Sequence, residues 1–271
     1  MFNRRAMIVA ALALAGAPAF ASAQEEAGQP PRTESGDEAL ILLALIDSHV
    51  HARGGAAALD AVHAMVMHTE IKAHGHTLLG GYGATVEGLM RADIFADGDR
   101  AFSGGLDRDG AWEWPGDAPA PHPASATAAA NSRHGLMFNL FGLHRLMEKG
   151  CTLTLAGREV VEGINYYVID VRFPDATHAF RYINPTTWMV ERGRDQRAVP
   201  ADAPPDAPFT ETVFSEFRPV AGVMTPFGVS QADLRTGAIL QTAQVQDLRY
   251  NPPASALHLA RTDVVEPPPE T

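Results

Sequence analysis

Two histidines one residue apart, His49 and His51 in Ile46-Asp47-Ser48-His49-Val50-His51, are the most chemically suggestive pair in this chain. On a strand, imidazoles at i and i+2 point the same way and could hold a catalytic metal that activates water. The flanking residues read as helix, where i and i+2 diverge. His74-Gly75-His76, with His63 and His68 nearby, offers a second cluster, but Gly75 and its polar neighbours mark an exposed turn. Asp107-Arg108-Asp109-Gly110 opens like a calcium loop, yet the later ligands and closing Glu are missing, so it reads as a hairpin turn. Cys151 is the only cysteine, which excludes an intrachain disulfide and an all-cysteine metal site. Nothing near it in sequence would activate it as a nucleophile. The chain has no Gly-x-Ser-x-Gly elbow and no phosphate-cradling Gly loop. No catalytic residue, metal or cofactor is therefore expected.

The elements that would position these groups follow from the texture of the chain. Met1-Phe2-Asn3-Arg4-Arg5, an apolar run over 6–15, and Ala21-Ser22-Ala23 before Gln24 predict a signal peptide at 1–23, cleaved near Ala23-Gln24. The apolar run is too short to span a bilayer, so no membrane span is expected after cleavage. No Cys stands at the cleavage point, which argues against a lipid anchor. Residues 24–37, rich in Glu, Gly and Pro, read as a flexible leader. A single domain over 38–262 and a disordered Pro/Glu-rich tail over 263–271 complete the chain. Hydrophobic residues make up 46% of 271, enough for a sizeable core. A formal net charge of −11 argues against nonspecific nucleic-acid binding and against a polybasic membrane anchor.

Residues 38–67 read as helix, broken at Gly54-Gly55, and Gly80-Gly81-Tyr82-Gly83 as a turn-rich hinge. Short strands follow at 85–95, 100–105, 111–114, 152–156, 166–173, 178–183, 188–192, 210–218, 224–232 and 239–250. Pro-rich loops lie at 115–125 and 202–208. One helix interrupts the strands: Leu136, Leu140, Leu143 and Met147 share a face that Phe138 and Phe141 widen, and Gly150 is a stop. In the strand 166–173, Tyr167, Ile169, Val171 and Phe173 share one face. Phe180 and Tyr182 share a face of the next strand, and Trp188 starts the third. The pattern predicts a mainly β protein with helices, a curved meander whose inner face is covered by the helix at 136–147. An apolar hollow beneath that helix would be lined by Phe138, Phe141, Tyr167, Ile169, Val171, Phe173, Phe180, Tyr182 and Trp188.

Several segments together resemble one group of secreted bacterial proteins. They are Gly54-Gly55-Ala56-Ala57-Ala58-Leu59, Asp109-Gly110-Ala111-Trp112, Gly157-Arg158-Glu159-Val160-Val161-Glu162-Gly163 before Tyr166-Tyr167-Val168-Ile169, Tyr182-Ile183-Asn184-Pro185, and the stretch from Phe214 to Pro226. In this order they are similar to the LolA/LolB-like lipoprotein-carrier superfamily, over about His49 to Leu259. The resemblance implies an incomplete, half-open antiparallel β-barrel with helical cover. It further implies a periplasmic, non-enzymatic carrier whose partner is a hydrophobic ligand such as a lipid or lipoprotein acyl chains. The chain departs from that pattern in its length, its Pro loop and its acidic tail. The run Leu45–His51 also resembles the metal-binding opening of amidohydrolases, which would make His49 and His51 ligands in a metal-dependent hydrolase. Such a barrel needs alternating strands and helices, which the later chain lacks. A third reading is an envelope scaffold domain with a filled core.

Overall fold

From Met67 onward buried residues fall on alternate positions, Met67, Thr69, Ile71 and Ala73, and the backbone is extended from Ala64. The expected helix over 38–67 therefore stops short. In the computed structural model, which describes residues 36–196, 209–263 and 265–268, α1 runs Gly36–Ala52 and α2 Ala56–Asp60. The predicted signal peptide, most of the leader and the loop 202–208 lie outside the described residues.

The strands are β1 (Ala64–Ala73), β2 (His76–Thr85), β3 (Met90–Ala96), β4 (Asp99–Asp107), β5 (Gly110–Pro115) and β6 (His122–Pro123), then β7 (Thr152–Val161), β8 (Ile164–Arg172), β9 (His178–Ile183), β10 (Val190–Gln196), β11 (Phe209–Val220), β12 (Val223–Asp233) and β13 (Ile239–Tyr250). Between β6 and β7 stand α3 (Ala126–Leu140) and α4 (Leu143–Leu146). Among the described residues all thirteen strands form one sheet, in the order β6 to β1, then β13 down to β7. Two meanders are thus sewn together along β1 and β13, with Met65 opposite Tyr250. The strands β6 and β7 end the order without pairing to each other, so the sheet stays open. The helices cover its inner face: α1 packs on β7 and α4, and α3 on β5, β4 and β2. The result is the half-open antiparallel barrel with helical cover that the sequence predicts.

Tight turns explain why consecutive strands pair so regularly. His74-Gly75, Asp97-Gly98, Glu162-Gly163 and Ala221-Gly222 each place two residues at positive φ between strands. This is the two-residue hairpin geometry whose twist matches that of the strands. By contrast, Gly80 and Gly83 lie inside β2 and are not a hinge. A Cβ on Gly80 would collide with the Thr69 side chain, and one on Gly83 would stand 3.0 Å from the Leu257 carbonyl oxygen. The glycines permit close approach, which composition alone cannot separate from turn formation.

The covering helix is also interrupted. Ser125 Oγ accepts from the Ala128 amide at 3.1 Å and caps α3, a stabilising arrangement. The helix ends at Leu140, because Phe141 is extended, and α4 restarts at Leu143. Gly150, at φ 85°, closes the last turn as expected. After β13 the chain folds back over β2–β4. Arg261 pairs with Asp107, and the Arg91 guanidinium donates to the Ala260 carbonyl at 2.5 Å.

Candidate functional site

The helix α1 buries Leu42, Leu45, Ile46, His49 and Val50, a stripe at helical spacing. His49 is 3% exposed, and its Nδ1 donates to the Trp188 carbonyl at 2.9 Å. Burial, with the nearby Arg53 charge, pushes His49 down to about 3, so the imidazole is neutral at pH 7. His51 points to solvent. The helix thus separates the two imidazoles that a strand would have aligned. Among the described residues, no group of three or more His, Cys, Asp and Glu is placed to hold a metal ion.

The second buried imidazole, His134 on α3, stacks on Phe173 with centroids 3.7 Å apart. Burial pushes it down to about 4 despite Asp175 at 2.9 Å. Both folded values lie below the ordinary 6.5, so the unfolded chain binds more protons as the pH falls. Stability is then complete above about 6.5 and is lost progressively toward the folded values. Between pH 7 and 5, His49 is expected to account for about 2 kcal/mol of lost stability, and His134 for a similar share. Urea denaturation at the two pH values checks this, with His49→Gln expected to remove its part of the slope.

A cavity of about 150 Å³ lies against α1. The helices and the residues just after them contribute His49, Arg53, Phe138, Asn139, Phe141 and Leu143 to its wall. Met65 and Met67 come from β1, and Val245, Leu248 and Tyr250 from β13. Arg181, Met189, Val190, Phe214, Phe217, Thr225, Pro226 and Val229 complete the lining. The wall is apolar apart from a few groups at defined places. Arg53 follows α1; its Nε donates to the Met224 carbonyl at 3.2 Å, and burial lowers its pKa. The Arg181 guanidinium lies 3.7 Å over the Phe138 ring and 3.8 Å from Asp195.

Of the nine residues expected to line a hollow, Phe138 and Phe141 are in this wall. Ile169, Val171 and Phe173 do share the inner face, but they are buried in solid packing with Leu153, Ala179 and Ile183. Tyr167 packs at the edge of the same cluster, stacked on Trp188 at 6.1 Å. Trp188 itself sits in the turn before β10 at φ 58°. Phe180 and Tyr182 lie on the other side of the sheet. The β8–β9 register sets Phe180 opposite Asp170 and Tyr182 opposite Val168, and it sets Arg181 opposite Ile169. There Tyr182 joins Tyr166 in a separate cluster and donates to Glu159 at 2.7 Å. The cause is that β8 and β9 carry apolar residues on both faces, so alternation alone does not say which face is inner. Period-2 spacing of Met65 and Met67 was the available signal for the missed β1 wall; it was obscured by Val62 and Val66, which also fit helical spacing.

No family model matches the chain, and no curated protein matches it by sequence. Solved structures do. A DUF1329 family protein from Desulfovibrio piger matches with a TM-score of 0.50 at 14% identity, covering 80% of this chain and 98% of the other. A putative outer membrane lipoprotein-sorting protein domain from Vibrio parahaemolyticus matches with a TM-score of 0.51 at 12% identity, covering 77% and 92%. A LolA superfamily protein from Nitrosomonas europaea has a TM-score of 0.48 at 12% identity, covering 79% and 96%. At this identity the first two share a fold with this chain.

Proposed function

We propose that this chain is a periplasmic carrier that binds a hydrophobic ligand, such as a lipid or the acyl chains of a lipoprotein, without catalysing a reaction. The observation that carries the reading is the apolar cavity between α1, α3 and the inner face of β10–β13 and β1. Binding would draw on apolar area removed from water, at about 25 cal/mol per Å² as an upper bound. The likeness in fold to a putative lipoprotein-sorting domain supports the same class of function. Export rests on the leader of the sequence, with its Arg4-Arg5, apolar run and Ala21-Ser22-Ala23. Among the described residues no helix is long and apolar enough to cross a membrane.

Phe141 is the discriminating probe, because it is 5% exposed and lines the cavity. Phe141→Ala is expected to weaken binding of an environment-sensitive apolar dye about ten-fold, and to cost less stability than the roughly 3–5 kcal/mol of a filled core. Dye titration and urea denaturation of the same variant measure both. Native protein that ignores dye and lipid, with Phe141→Ala bearing the full stability loss, would leave the scaffold reading in place of the carrier.

A further inference from the structure

Arg53 differs from the other arginines that reach the interior. Arg91 is paired with Asp93 at 2.9 Å, Arg192 and Arg194 each with Glu211 at 2.8 Å, and Arg181 faces Asp195. Arg53 lines the cavity and, among the described residues, has no carboxylate within ion-pair distance. Its Nε is held by the Met224 carbonyl, and the Tyr250 hydroxyl stands beside it. Tyr250 in turn hydrogen-bonds Thr225 Oγ1 at 3.0 Å. A guanidinium offers five N–H donors in a planar fork, so these neighbours leave donors to spare. Arg53 is half-buried, so solvent relieves part of the cost of holding a cation against an apolar wall, and an anion meeting it would relieve the rest. Among the described residues the cavity lining contains no Asp or Glu, although the chain carries a formal charge of −11. The described wall therefore supplies apolar surface and cationic donors, and no competing acid.

We infer that the cavity takes an amphipathic molecule with one apolar chain and one oxyanion headgroup, a carboxylate or a phosphate monoester, whose headgroup seats on Arg53. This rests on the carrier reading above and adds to it the chemistry of the ligand's polar end. Two parallel N–H···O bonds from the fork to two oxygens of one group would give both strength and orientation. A cavity of about 150 Å³ would hold only the carbons nearest the headgroup, along the Met65, Met67, Val245 and Leu248 wall, and the rest of a long chain would leave through its open side.

Displacement of Nile red from the full chain tests the inference. Oleate and oleyl phosphate are expected to displace the dye at about ten-fold lower concentration than oleyl alcohol, which has the chain without the charge. The stronger of the two acids identifies the headgroup. Acetate and inorganic phosphate, which lack the chain, are expected to displace nothing. Arg53→Gln should erase the preference for the acids while leaving displacement by oleyl alcohol in place, and Arg53→Lys should restore part of it. Equal displacement by oleate, oleyl phosphate and oleyl alcohol from native protein overturns the headgroup assignment and leaves the carrier reading standing. That comparison needs no variant, so it decides even where Arg53→Gln fails to fold. Nile red that never binds overturns both.

Discussion

Val171→Asp is expected to abolish stable folding. Val171 is fully buried on the inner face of β8, opposite Leu153 on β7 and Ala179 on β9. The next residue across that row is the buried Asp195 on β10, opposite Ala179. A carboxylate placed there meets apolar neighbours, with Asp195 two strands away already facing Arg181, and must either stay ionised in an apolar setting or take up a proton at a cost. The expected loss exceeds about 4 kcal/mol, a large share of the roughly 5–15 kcal/mol that holds an ordinary domain together. Val171→Ala, which removes only volume, is expected to cost about 2 kcal/mol. Urea denaturation followed by tryptophan fluorescence separates the two. A Val171→Asp protein within about 1 kcal/mol of the native one would mean that the core beneath β8 is not solid.

The second large effect is expected at Gly54, where α1 gives way to α2. Gly54 has φ +116°, and a Cβ there would drive into the Gly222 carbonyl oxygen at the tip of the β11–β12 hairpin. The contact is backbone against backbone, so no side-chain rotation relieves it. The Met224 amide donates to the Arg53 carbonyl at 2.9 Å immediately alongside, which fixes the spacing. Gly54→Ala should therefore cost more than about 3 kcal/mol, the sum of an unfavourable backbone conformation and a displaced hairpin. Gly55 provides the control, because its φ is +86° and a Cβ there would meet nothing within 4 Å. Gly55→Ala meets no steric contact but keeps a φ 86°, ψ 160° backbone that only glycine adopts readily, so it is expected to lose about 1–3 kcal/mol, less than Gly54→Ala by the cost of the displaced hairpin. Equal melting temperatures for the two variants would show that the helix junction is not pressed against the hairpin.

Much of the architecture was legible in the sequence because local chemistry agrees with the fold. The strands β9 and β13 fall at the residues that alternation predicts, 178–183 and 239–250, and the turn between β4 and β5 is Arg108-Asp109, within the Asp107–Gly110 stretch read as a hairpin turn. The failures share a physical cause. Glycine inside β2 serves close packing, and composition cannot distinguish that from turning. Apolar residues on both faces of β9 hide which side is inner, so Arg181 faces the helices and Phe180 and Tyr182 do not. The cavity wall is assembled from β1 and from β10–β13, and no local pattern reveals that β1 and β13 meet. Phe138 and Phe141 were found because the helix covers whatever lies beneath it, whichever strands those prove to be.

The join between β1 and β13 has a further consequence. Every other pairing in the sheet links strands adjacent in the chain, and such hairpins close with little entropic cost. The join alone waits for both ends of the domain to exist. Asn251 braces it, accepting from the His63 amide at 2.8 Å and donating to the Ala61 carbonyl at 2.8 Å. From its long sequence separation the join is expected to form last and to open first. Met65 and Met67 stand on one side of that line, Val245, Leu248 and Tyr250 on the other, and all five face the cavity. A guest bound as proposed would touch both halves at once and act as a rivet between them. Loading and completion of the fold would then be one coupled equilibrium, and the filled protein would resist opening in proportion to how tightly it held its guest.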